Sequence, residues 1–481
     1  MKTTTRRDLL KGLACGSIIV GFDPLNRSWV TSANAAGTAN LEHVPHLDGV
    51  LRTDDEALTA ASGDFGRFVN RRPVAVLEPG SVQDIARVVR FANKHDLRIA
   101  VRGHGHSIYG QTLVKGGIVI QMSTLSKARN LPGARVLADA GCSWGDVLEE
   151  TLKQGATPPV IPDYLGLSVG GTLSIGGISP TTYRYGAQVD NVEALQVVTG
   201  EGQVVTCSKH HRADLFDAVL AGQGQCAVIA RAVIKLVAAP ARVRAYSLLY
   251  PDLVTALADS DRLVEEKRFD GVMFFTFADG NGGDTVVLRG TKYYSPPATP
   301  DDATMLAGLN FVPGVMQIDD LTYLENFSIT TGPFPPLRHP AICVVLPASA
   351  ATQYIQGVLP RLTAADLGSY NVAQIFTWRA SRFGQPLMRV PAEEKLVGFA
   401  LLRFAQDAQE GERMLAGNRQ LFEESRALGG TLYPFSAVKL SRADWRQHYG
   451  HDFDELARAK HRYDSNNVLA CGPDSFQVQK I

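Results

Sequence analysis

Apolar residues recur with two periods along the chain. Residues 73–77 form a short apolar run stopped by Glu78-Pro79-Gly80, which predicts a strand. Ser81 follows at an N-cap position, and Val82, Ile85, Ala86, Val88, Val89 and Ala92 fall at helical spacing, predicting a helix over 82–92. Residues 96–102 and 117–122 turn apolar again as strands, and this strand–helix–strand order predicts an α/β layer. Residues 192–205 predict two strands around Gly200-Glu201-Gly202, and 228–236 predict another. Pro240 marks a boundary. Beyond it the pattern predicts a helix over 254–269, a strand over 272–277 and a helix over 408–427. A turn at Gly429-Gly430 precedes a charged, aromatic helix over 442–463.

At 481 residues the chain suits two or three domains. Lys+Arg and Asp+Glu balance at 48 each, so there is no basic footprint for nucleic acid. No apolar run is long enough to span a membrane. The N-terminus reads as an address. Thr5-Arg6-Arg7-Asp8-Leu9-Leu10-Lys11 precedes a modest apolar stretch over 12–22 and then Ala33-Asn34-Ala35-Ala36. Paired arginines, a weak apolar region and a small-residue cleavage pattern predict a twin-arginine signal over 1–36, with export to the periplasm or beyond; an incidental N-terminal helix is the alternative. That route carries folded proteins, which suits a chain loaded with a cofactor before export. None of the six cysteines forms a C-x-x-C pair. Cys207 has His210 and His211 nearby but no second cysteine, so no metal site is predicted. Buried free thiols are expected, with one disulfide as the alternative.

Three glycine-rich constellations carry the candidate chemistry. The first is Arg102-Gly103-His104-Gly105-His106-Ser107-Ile108-Tyr109-Gly110-Gln111, at the end of a predicted strand. Its glycines let backbone N–H groups approach an anion such as a diphosphate, but it is not the G-x-G-x-x-G of a nicotinamide site. A polar loop with solvated imidazoles is the plainer reading of that stretch alone. The second runs from Pro162-Asp163-Tyr164 through Ser168-Val169-Gly170-Gly171-Thr172-Leu173-Ser174 to Gly176-Gly177-Ile178. Asp163 sits among apolar and small residues, where a carboxylate gains basicity; a turn or cap residue is the default alternative. The third, Leu215-Phe216-Asp217-Ala218-Val219-Leu220-Ala221-Gly222-Gln223-Gly224-Gln225, leads into the strand that contains Ile229. By itself it reads as an ordinary helix-to-strand connection.

Taken in order, the three resemble the vanillyl-alcohol-oxidase (PCMH-type) FAD-binding flavoproteins, and within them the cytokinin oxidase/dehydrogenases. The similarity runs from about Phe65 to Leu236 and resumes near Tyr433, where Trp445, His448, Tyr449 and Gly450 resemble a W-x-x-H-F-G motif. The resemblance implies a two-domain α+β fold. An FAD-binding domain would comprise 45–237 and 430–481, with 238–429 inserted as an α/β substrate domain.

The resemblance also implies residue roles. His106 would bond covalently to the flavin 8α-methyl. Gly103, His104, Gly105, Ser107 and Gln111 would line the diphosphate and flavin, and Ser168, Ser174, Ile178, Ile229 and Tyr433 would contact FAD. No cysteine lies near 169–171, so a single flavin bond is expected. Asp163 would be the catalytic base. Asp270 stands where the family has glutamate, as a competing catalytic carboxylate. In the substrate pocket Ala341 and Cys343 replace the family's tryptophan and asparagine. The implied activity is hydride transfer from a small organic substrate to covalent FAD, with amine C–N oxidation as in cytokinin dehydrogenases and oxygen or a quinone as acceptor. An alcohol or sugar oxidase of the same fold is the alternative, and a non-catalytic flavin carrier a third.

Overall fold

The computed structural model of the chain describes residues 19–32, 41–278, 284–327, 334–368 and 372–469. The paired arginines, Ala33–Ala36, Cys15 and Cys471 lie outside them. Residues at the end of the N-terminal apolar stretch form a strand, Ile19–Asp23, paired antiparallel with Ser28–Thr31. Phe22 is thereby buried against Trp29 and Phe91.

Three sheets, of four, five and eight strands, build most of the molecule beside two small ones of three and two strands. The first orders Val50–Arg52, Ala75–Glu78, Ile118–Gln121 and Ile99–Arg102, with the last three parallel. Parallel strands need a crossover, and the helix Val82–Lys94 supplies the one from Ala75–Glu78 to Ile99–Arg102, on either side of Ile118–Gln121. Ser81 caps it by accepting from the Asp84 N–H, and its apolar face is buried. The second sheet is antiparallel, in the order Val204–Ser208, Val192–Thr199, Ala227–Lys235, Arg135–Asp139 and Ala128–Leu131.

The third sheet is antiparallel with eight strands: Met316–Thr322, Arg242–Tyr250, Asp284–Tyr294, Gly271–Ala278, Val372–Arg379, Lys395–Leu402, Ile342–Pro347 and Thr431–Leu432. The helices Leu253–Glu266 and Ala408–Ala427 pack against it, and a continuous apolar core joins it to the other two sheets. This mixture of layers is an α+β architecture.

The chain leaves the third sheet after Leu432 and returns to the first two. Ile99 N–H donates to the Val468 carbonyl at 2.7 Å, and Lys460 Nζ donates to the Gln225 carbonyl at 2.8 Å. The charged C-terminal stretch, expected as one helix, is two: Arg442–Tyr449 and Asp452–Tyr463. Gly450 at φ +56° ends the first, since a left-handed residue there breaks the helical run. Among the described residues, no helix is long and apolar enough to cross a membrane.

Candidate active site

A cavity of about 770 Å³ lies where the three sheets meet, and all three glycine constellations line it. Opposite them stands the eight-stranded sheet. Its register aligns Phe275 with Gln374, Gln374 with Ala400, and Ala400 with Cys343. Because side chains alternate across a strand, this row and its second neighbours Val372, Phe376 and Leu402 present one face to the cavity.

The loop after Ile99–Arg102 is held from beneath. Asp64 accepts from Ser107 Oγ at 3.0 Å and from the Gly110 N–H at 2.6 Å, and Arg102 Nη1 donates to the Gly63 carbonyl at 2.6 Å. Gly105 adopts φ +79°, and a Cβ there would stand 2.4 Å from the Arg102 guanidinium. His104 bridges backbone, its ring nitrogens 2.7 Å from the Gly166 carbonyl and 3.0 Å from that of Gly141. His106 packs between Phe65 and Tyr164, ring centroids 4.8 and 4.9 Å away. Burial, with the nearby His104 and Arg102, pulls its pKa down to about 4, so the imidazole is neutral at working pH.

The second constellation starts a short helix, Val169–Leu173, capped by Ser168, whose Oγ accepts from the Gly171 N–H at 3.3 Å. A Cβ on Gly103 would fall 2.0 Å from that Oγ, so only glycine lets the two loops meet. The third constellation is stitched on by the Gln223 N–H, which donates to the Ser174 carbonyl at 2.8 Å. Tyr433 closes the ring: its hydroxyl accepts from the Gly177 N–H at 2.9 Å, and its N–H donates to the Cys343 carbonyl at 2.9 Å.

Asp163 lines the cavity with its carboxyl buried. Desolvation raises its pKa to about 6, against the opposing pull of Arg289. Among the described residues no protein group hydrogen-bonds this carboxylate. A carboxylate held near neutrality with no protein partner has the properties that proton acceptance requires.

The structure brings Gly103, His104, Gly105, His106, Ser107, Gln111, Asp163, Ser168, Ser174, Ile178, Ile229, Cys343 and Tyr433 to this one cavity. It places two expected residues elsewhere. Asp270 is off the cavity wall: its carboxylate is ion-paired to Arg184 and accepts from the Tyr293 N–H at 2.7 Å, so it is committed to holding strands together. Ala341 is fully buried in a small cluster with Ile108 and Ala437, behind the wall.

Sequence reasoning missed Asp64, Phe65, Phe334, Phe404, Gln374 and His339. His339 sets one ring nitrogen 2.7 Å from the Arg403 carbonyl and stacks on Phe404 at 4.5 Å. These residues come from distant segments, and only the histidine in Arg338-His339-Pro340 carried any local signal.

A long cavity, glycine-lined at one side, with a neutral imidazole at its edge and closely approached backbone, fits a flavin dinucleotide. The comparisons with known proteins agree. Residues 73–208 match the family model described as FAD binding domain, and residues 286–476 match cytokinin dehydrogenase 1, FAD and cytokinin binding. The chain is 36% identical over 434 residues to an uncharacterised oxidoreductase of the fasciation locus of Rhodococcoides fascians, covering 89% of this chain and 99% of that protein. It is 32% identical to cytokinin dehydrogenase 1 of Oryza sativa subsp. japonica, covering 89% and 92%. This chain belongs to the cytokinin dehydrogenase family of FAD-dependent oxidoreductases.

Solved structures share the fold of this oxidoreductase. 6-Hydroxy-D-nicotine oxidase of Arthrobacter nicotinovorans superposes with a TM-score of 0.71 at 21% identity, covering 88% of this chain and 97% of that one. Xylooligosaccharide oxidase of Myceliophthora thermophila gives 0.72 at 18%, covering 90% and 98%.

The glycine-lined side of the cavity is the side whose close backbone fits FAD, and the wall built by the eight-stranded sheet, with Asp163, lines the rest of it. Among the described residues Cys142, Cys207, Cys226 and Cys343 are buried free thiols, and burial pushes each up to about 12.

Proposed function

We propose that the chain oxidises an amine carrying an apolar substituent, as cytokinin dehydrogenases do, with FAD bonded to His106. One observation carries this reading: a single carboxylate among the described lining residues, Asp163, stands in a wall that is otherwise mostly apolar. Phe275, Phe334, Phe376, Phe404, Val372 and Leu402 supply that wall, with Gln374 and His339 as its polar members. An alkylated amine needs one acceptor for its N–H and apolar surface for its substituent. A sugar would lose hydrogen bonds from several hydroxyls against such a wall, each buried unpaired group costing about 1–3 kcal/mol.

Bound FAD supplies the hydride acceptor. The chain's own residues do the rest. Asp163 takes the proton from the substrate N–H, which lets the nitrogen lone pair assist loss of hydride from the adjacent carbon. The aromatic wall excludes water and orients that carbon. His106 holds a neutral imidazole lone pair, the form that bonds to an electrophilic carbon, and so serves as the point of attachment. Gly103, Gly105 and Gly171 keep the backbone close enough to receive the diphosphate. The sequence pattern over 1–36 supports export by the twin-arginine route to the periplasm or beyond, and N-terminal sequencing of the secreted protein checks it. Oxygen or a quinone would take the electrons.

The test is anaerobic bleaching of the flavin on mixing with an N6-alkyladenine, a primary alcohol or an oligosaccharide, followed by reoxidation with oxygen or a quinone. Rapid bleaching by the adenine alone is expected. Asp163→Asn should slow it by about 10²–10⁴-fold, while the flavin spectrum is kept. Bleaching by the sugar and not the amine would transfer the proposal to the oligosaccharide oxidases.

A further inference from the structure

A smaller cavity of about 50 Å³ shares Asp163 and Phe275 with the main one but none of its glycine loops. Pro159, Ile161, Pro180, Met273 and Phe327 make it mostly apolar. Two polar atoms are buried there without a protein partner, Arg289 Nη2 and Asn326 Oδ1. Arg289 comes from Asp284–Tyr294, where it pairs with Met273, so it sits on the same sheet face as Phe275. Arg289 and Asp163 both line the void, close enough to interact electrostatically but with no ion pair formed between them.

What fills such a gap follows from its chemistry. An anion would meet the Asp163 charge at short range. An apolar group would leave a buried donor and a buried acceptor unmet. A water accepts from Arg289 Nη2 and donates to both Asn326 Oδ1 and the Asp163 carboxylate, the three bonds usual for an internal water, and the void clears the minimum size for one.

The geometry points to Arg289 as a positioning residue of Asp163: through one water shared with Asn326, its guanidinium orients the carboxylate and favours its ionised form. The inference rests on the reading of Asp163 as base. Among the described residues, Arg289 is the only cation in the lining of this void. Tyr293 and Tyr323 also line it, with hydroxyls that burial keeps protonated. Across the main cavity His106 and His339 are neutral, each held near 4 by burial, and Asp270 is tied to Arg184.

Infrared titration of the full holoprotein reads Asp163 without any substrate. Its protonated C=O band is the one present in wild type and missing from Asp163→Asn, and it should grow in with a midpoint of about 6. Arg289→Gln should raise that midpoint by about 1 unit or more. Arg289→Lys, which keeps the charge, should stay nearer wild type, and Asn326→Leu, which fills the void, should raise it as well. An unmoved midpoint in Arg289→Gln, or a lysine variant shifted as far as the glutamine one, overturns the assignment. An unmoved midpoint in Asn326→Leu overturns the shared water, and that variant carries the test if Arg289→Gln does not fold. Flavin bleaching by the N6-alkyladenine separates the two proposals. Wild-type speed in Asp163→Asn sinks the base reading, whereas a slow Asp163→Asn with an unmoved Arg289→Gln midpoint sinks only the role of Arg289.

Discussion

Asp163 stores a cost of folding as chemical readiness. Its pKa lies near 6 in the fold against 3.8 for the free side chain, because burial disfavours the charge more than Arg289 restores it. Protonation therefore favours the folded state. The cost of the ionised carboxylate is complete above about pH 6, fades as pH falls toward 3.8 and is gone below. A shift of about two units corresponds to roughly 3 kcal/mol at most. Asp163→Asn should accordingly melt higher than wild type near pH 8, with the gain vanishing near pH 4; thermal melts at the two pH values check this. His106 lies on the other side of the same balance. Burial holds it neutral from its pKa of about 4 upward, so its lone pair is available throughout the working range. Acid-precipitated wild-type protein should stay yellow, and His106→Ala should release its flavin into the supernatant; colour released from wild type would defeat the covalent assignment.

Between residues and sheets, the loop after Ile99–Arg102 depends on a side chain forty residues upstream. Asp64 is buried and accepts from Ser107 Oγ, the Gly110 N–H and the Arg67 N–H. Asp64→Ala should leave those donors unmet at about 1–3 kcal/mol and loosen the cradle. A lower melting temperature and a lower flavin-to-protein ratio after gel filtration are expected. Elements of this middle scale were unevenly legible in the sequence. The helices Val82–Lys94 and Ala408–Ala427 matched their apolar periods, since each buries one stripe on a sheet and carries a capping residue. Most strands of the eight-stranded sheet were not legible. Arg242–Tyr250 and Asp284–Tyr294 mix charged, polar and apolar residues because their charged side chains find partners, Arg242 on Asp320 of the neighbouring strand and Arg244 on Asp302 of a helix outside the sheet. The flavin side of the cavity could be read because close backbone approach demands glycine at fixed spacing. The substrate wall could not, because Phe65, Phe334, Gln374 and Phe404 meet only through tertiary packing. Asp270 misled for the same reason: its sequence position says nothing of Arg184, which claims its carboxylate.

For the molecule as a whole, the glycine-lined cavity is closed by a segment far along the chain from the glycine loops. The segment leaves the eight-stranded sheet at Thr431–Leu432, runs through Tyr433 at the cavity and then packs the second of its two helices, Asp452–Tyr463, on the helix Ala213–Val219 that leads into the third glycine turn. Lys460 fastens this return. Its ammonium is 2% exposed, donating to the carbonyls of Gln225 and Leu469 at 2.8 and 2.9 Å and paired with Asp464 at 2.5 Å. Asp464 in turn accepts from the Val468 and Leu469 N–H groups at 2.7 and 2.9 Å. The clip therefore joins the C-terminal tail to the third glycine constellation, one residue past Gly224 on the cavity wall. Removing one partner of a buried pair strands the other charge, which costs about 3–5 kcal/mol, whereas removing both spares that penalty. Lys460→Met should thus melt well below wild type and bind flavin more weakly, because Gln225 loses its anchor. Lys460→Met with Asp464→Asn should recover part of the loss, since the stranded carboxylate is gone. If the double variant melts lower than Lys460→Met by the full cost of Asp464→Asn alone, the two side chains act independently and the tail is held by its apolar packing instead.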